Sequence, residues 1–87
     1  MHAVVVQVTV NDRETAVANL QGEIVPMISG LPGFVRGQWV ALPGGKGSST
    51  IVFESEQQAQ EAAQRISQRG EEVTVESVEV GEVVADA

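Results

Sequence analysis

Leu31-Pro32-Gly33-Phe34-Val35-Arg36-Gly37-Gln38-Trp39-Val40 is the stretch on which the fold turns, because a helical pattern stops there and a strand pattern starts. Pro32 cannot continue a helix, and Gly30 just before it stands in the usual C-cap place. From Phe34 onward the residues become aromatic and β-branched, which predicts a strand over 34–42. That strand carries the only tryptophan of the chain, Trp39.

Working backward from this junction, Val17, Leu20, Ile24, Met27 and Ile28 recur at helical spacing. They predict a helix from Asp12 to Ser29, with Asn11 and Glu14 in a variant of the capping box. Pro26 lies inside it and would clash with the carbonyl of Gly22, so a kink or loosened turn is expected over 22–26. Before the helix, Ala3 to Val10 alternates, with Val4, Val6, Val8 and Val10 on a dry face and Ala3, Val5, Gln7 and Thr9 on a mixed one.

Working forward, Pro43-Gly44-Gly45-Lys46-Gly47 is a turn cluster between two strand-like runs, which predicts a hairpin whose second strand covers 49–54. The glycines also suggest a phosphate loop, but the spacing of that motif is missing and no helix follows. Ser55 offers an N-cap with Gln58 at the reciprocal position, and Ala59, Ala62, Ala63 and Ile66 form one face of a second helix reaching Arg69, closed by Gly70. A last strand over 72–84 alternates at Val73 and Val75 and again at Val78 and Val80. Its phase slips at Glu76 and Ser77, as a bulge would make it do.

The order β-α-β-β-α-β is the ferredoxin-like, α+β arrangement: a four-stranded antiparallel sheet with both helices on one side, in a single domain. The other side of the sheet, carrying Val5 and its counterparts, is left without a cover. An open apolar face of this kind predicts an interface, here a homodimer.

Composition limits the functions available. The formal charge of −7, from 12 acidic and 5 basic residues, opposes binding to nucleic acid or anionic membranes. The absence of cysteine removes disulfides and thiolate chemistry, and no run suits a signal or membrane helix, so a cytoplasmic protein is expected. At 43% hydrophobic but only 3% aromatic, the core must be built from Val, Ile, Leu and Ala. The glutamates are scattered and have no histidine beside them, so no metal site is expected.

The opening strand A-V-V-V-Q-V-T-V, the junction P-M-I-S-G-L-P-G-F-V-R-G-Q-W-V and the hairpin G-G-K-G-S-S-T-I-V-F-E-S leading into E-Q-Q-A-Q-E-A-A together resemble the dimeric α/β barrel superfamily, near its antibiotic-biosynthesis-monooxygenase-like domains. The resemblance covers nearly the whole chain at the level of fold. It implies two sheets facing each other across a dimer, helices outside, and a ligand cavity between sheet and helices in each subunit. It also implies a range of activities: cofactor-free oxygenation of quinols or polyketides, haem degradation, isomerisation, and members with no demonstrated activity. The haem-degrading members use a helix-borne histidine, whereas the only histidine here is His2, ahead of the first strand. No cofactor is therefore expected.

Four residues are candidates for ligand binding. Trp39 suits stacking on a flat ring or donating its indole N–H, or it fills space between sheet and helix. Arg36 and Gln38 lie on the opposite face of the strand from Trp39, where Arg36 either pairs with a carboxylate across a dimer or holds an anion. Gln7, on the mixed face of the first strand, suits a ligand or an interface. The expected function is a small homodimeric barrel protein binding a small hydrophobic or aromatic molecule. The alternatives are a cofactor-independent monooxygenase of quinols or phenols, and a non-catalytic interaction module working through its acidic C-terminal segment.

Overall fold

The computed structural model describes residues 1–67 and 72–87. The chain runs β1 (His2–Val10), α1 (Arg13–Asn19), a π-helical turn (Leu20–Ile24), α2 (Val25–Ser29), β2 (Phe34–Leu42), β3 (Lys46–Phe53), α3 (Glu56–Ile66) and β4 (Val73–Glu82). The sheet is antiparallel throughout, in the order β2-β3-β1-β4, and the α+β ferredoxin-like arrangement is as the pattern predicts. The expected end of the second helix at Arg69 and its closure by Gly70 lie outside the described residues.

The first helical segment shows what Pro26 does. Instead of a sharp kink the rod widens into a π-helical turn, in which the Val25 N–H reaches the carbonyl of Leu20, five residues back. The proline then sits in the first turn of α2, where its missing N–H costs little. The N-cap differs from the expectation: Asp12 caps α1, its carboxylate accepting from the Thr15 N–H at 3.2 Å and the Thr15 hydroxyl at 3.0 Å. Asn11 is used by the sheet instead, its N–H donating to the Glu72 carbonyl and its Nδ2 to Thr74 Oγ1.

β2 occupies the residues its sequence predicts. β3 begins at Lys46, three residues earlier than the pattern suggests, because Gly47, Ser48 and Ser49 pair with both neighbours despite their low strand propensity. The turn is correspondingly tighter, with Gly44 and Gly45 both at positive φ. In β4 the ladder steps from Gln7↔Ser77 to Val8↔Val75, so Glu76 is the extra residue, where the phase slip places it.

The ladder sorts the sheet into two faces. Rows such as Val80–Val4–Ile51–Gly37 and Val78–Val6–Ser49–Trp39 face the helices. The core there is Val4, Val6, Ile28, Ile51, Phe53, Ala59, Ala62 and Ile66, with Phe53 meeting Phe34 edge to face at 6.1 Å between ring centroids. Small residues on α3 bring it down onto β1, β3 and β4, whereas α1 and the π turn stand away from the sheet.

The opposite face carries Gly81–Ala3–Val52–Arg36, Glu79–Val5–Thr50–Gln38, Ser77–Gln7–Ser48–Val40 and Thr74–Thr9–Lys46–Leu42. It is half polar, and one end of it is covered by the chain itself. Beyond β4, the Val83 N–H donates to the Met1 carbonyl at 3.0 Å, and Asp86 reaches Arg36 on the far edge strand at 2.6 Å. Three strand spacings amount to roughly 14 Å, and four extended residues span about 13 Å, so residues 82–86 are the right length to cross the sheet. Ala3 and Val52 beneath this path are buried although they point away from both helices. The Arg36–Asp86 pair is half exposed, so Asp86→Asn should lower stability by less than ~1 kcal/mol in urea titrations, with the difference shrinking in high salt.

Candidate functional site

The standing-off of α1 opens a cleft of about 420 Å³ between the first helical segment and the β2–β3 hairpin, within the range of small-molecule sites at roughly 300–1,000 Å³. Its apolar walls are Val8 and Val10 from β1, Val17 and Leu20 from the helix, and Trp39 from β2. Arg13, Ala16, Val17 and Leu20 follow the i, i+3, i+4, i+7 spacing, which puts the arginine on the same stripe as the apolar wall. Val17 and Leu20 are left partly exposed by the gap, instead of being sealed as the periodicity implies.

Trp39 is half-buried and packs against the core while lining this cleft and a second one of about 450 Å³ beside Asn19, Glu23, Arg65 and Glu72. Its ring lies over Gly37: a Cβ there would come within 2.9 Å of the six-membered ring. Among the described residues its indole N–H makes no hydrogen bond, so a polar handle is presented at the wall of an apolar space. Gly37→Ala should push the indole out of this seat, which the emission maximum of the single tryptophan would register as a red shift with little change in helicity. An unchanged spectrum would show that the ring is not held by the glycine.

The four residues singled out from the sequence do not form one site. Trp39 is on the helix side, and the sheet separates it from Arg36, Gln38 and Gln7 on the other face. The bulge in β2 falls at Val35, before Arg36, and so leaves the alternation from Arg36 to Trp39 undisturbed. Arg36 is paired within its own chain to Asp86, and Gln7 donates from Nε2 to Ser48 Oγ at 3.2 Å. Arg13, Val17 and Leu20, which complete the cleft, went unrecognised in the sequence. Their spacing was visible, but that α1 would stand off the sheet was not.

Chemically the cleft offers an apolar wall with few polar groups. The described residues lining it include no carboxylate, histidine or tyrosine, and the one lysine, Lys46, donates its ammonium to Thr9 Oγ1 on the opposite face of the sheet. His2 lies at the start of β1 with Nε2 3.5 Å from the Glu56 carboxylate, and it is not part of the lining. Among the described residues no helix is long and apolar enough to cross a membrane.

No protein-family model matches the chain, and no curated protein matches it in sequence.

Proposed function

We propose that the protein binds a small hydrophobic or aromatic molecule in the cleft beneath α1, as a homodimeric relative of the antibiotic-biosynthesis-monooxygenase-like barrels acting in the cytoplasm. The observation that carries this reading is Trp39: a partly exposed indole, its N–H without a partner among the described residues, at the wall of a cleft whose side chains from β1 and the helix are largely valine and leucine. A solvent-filled apolar space of this size is costly to keep wet, and a ligand's apolar surface would gain roughly 25 cal/mol per Å² on entering it. Trp39 is also the natural reporter, since the chain has no other tryptophan.

Titration with 1-naphthol should give a saturable change in Trp39 emission. Val17→Arg, which places a charge in the wall, should abolish it. A linear, unsaturable response in the unmodified protein would remove the binding reading. The monooxygenase alternative keeps the same cleft but needs a substrate that arrives already ionised, and it predicts oxygen consumption with a quinol. Binding without oxygen uptake favours the non-catalytic reading.

The dimer is supported by Val5, Val40 and Leu42, apolar residues on the open sheet face outside the rows that the crossing segment covers, with Val40 at 47% and Leu42 at 41% exposure. Sedimentation equilibrium should then return twice the 9.2 kDa chain mass. A monomer that persists at high concentration would overturn it.

A further inference from the structure

The geometry points to a charge preference in this cleft: resting on the binding reading above, it assigns the ligand to the apolar carboxylates, with the anionic group held by Arg13. The chain carries 12 acidic residues against 5 basic ones, so a patch drawn at random from its surface should contain carboxylates. The lining of this cleft contains none among the described residues, and it does contain Arg13. The second cleft behaves differently, since Glu23 and Glu72 there face Arg65 and leave no net positive charge.

Arg13 is also available. Among the described residues its guanidinium makes no ion pair, whereas Arg36 is occupied by Asp86. Lys46 contributes to the cleft wall, but its ammonium donates to Thr9 Oγ1 at 3.1 Å on the opposite face of the sheet and is turned away from the space. One cation is thus left at the end of the apolar stripe Ala16, Val17, Leu20. A carboxylate on the guanidinium would make charge-assisted, two-pronged hydrogen bonds, and its apolar tail would run along the stripe toward Trp39. The low polarity of the wall strengthens that pair relative to one in open water.

Octanoate and 1-octanol share a chain length and differ in the charged group, so their titrations against Trp39 emission test the assignment. The unmodified protein should bind octanoate at least about tenfold more tightly than 1-octanol, and added salt should erode the octanoate affinity alone. Arg13→Gln, at an exposed position, should lose that factor of about ten, equivalent to about 1.4 kcal/mol, with 1-octanol unchanged. Arg65→Gln should alter neither. Equal affinity of the unmodified protein for both probes, or an Arg13→Gln variant that still prefers octanoate, overturns the charge assignment while the cleft reading stands. Loss of octanoate binding in Arg65→Gln moves the site to the second cleft and overturns it as well. Binding of neither probe overturns both the assignment and the reading on which it rests.

Discussion

Phe53→Ala is expected to cost about 3–5 kcal/mol, the usual range for removing a fully buried aromatic ring. Phe53 is 0% exposed, closes β3, and sits in the row of the ladder that joins His2 to Phe34. A core with so few aromatic residues concentrates its apolar area at such positions, and an interior packed to this density relaxes only partly into the space a ring leaves. At roughly 0.05–0.15 kcal/mol per residue, a chain of 87 residues has a total stability of roughly 4–13 kcal/mol, so the variant loses a large share of it. Urea unfolding followed by circular dichroism should show the midpoint collapsing toward zero denaturant. Phe53→Leu should retain most of the stability, and a midpoint for Phe53→Ala within ~1 kcal/mol of the unmodified protein would contradict this account of the core.

How much of this architecture could be read in advance depended on whether the determining interactions were local. β2 was legible to the residue because its start is enforced by Gly33 and its end by Pro43. The bulge at Glu76 was legible because a side-chain period of two leaves a visible slip when one residue is inserted. Asp12 and Asn11 are both good capping residues, and local pattern could not choose between them. The choice was made at the start of β4, where Glu72 just before the strand and Thr74 within it engage Asn11 and leave the cap to Asp12.

The site was harder to read for the same physical reason. Trp39 was recognisable as unusual, but its partners across the cleft depend on how far α1 stands from the sheet. That distance goes with the π turn and with α3 occupying the other strands, and neither can be read from the apolar spacing of the cleft residues. The open face was legible only in part: alternation identified it, but not that residues beyond β4 cross it and cover Ala3 and Val52. Any second copy docking on that face has to meet the Val5, Val40 and Leu42 end or displace this crossing segment. Self-association should therefore respond to substitutions at Leu42 more than at Val52.

The junction that decides the fold should also be its most sensitive backbone position. Gly33 has φ +80, in the left-handed region, and a side chain there is disfavoured by about 1–2 kcal/mol before any contact is counted. A Cβ on Gly33 would moreover fall inside the carboxamide of Gln58, whose Oε1 is buried with no hydrogen-bond partner among the described residues. The same glycine's carbonyl accepts from the Glu54 N–H at 2.9 Å, so the turn cannot shift without pulling on the end of β3 and the start of α3. Gly33→Ala should accordingly cost about 2–4 kcal/mol, the backbone strain plus the displacement of a packed side chain. Gln58→Ala separates the two contributions, because it removes the obstructing amide and a buried unsatisfied acceptor together. In that background the cost of Gly33→Ala should fall to the backbone strain alone, giving a coupling of at least ~1 kcal/mol in a double-mutant cycle. Strict additivity would mean that Gln58 moves aside freely and that the left-handed φ alone makes the glycine necessary.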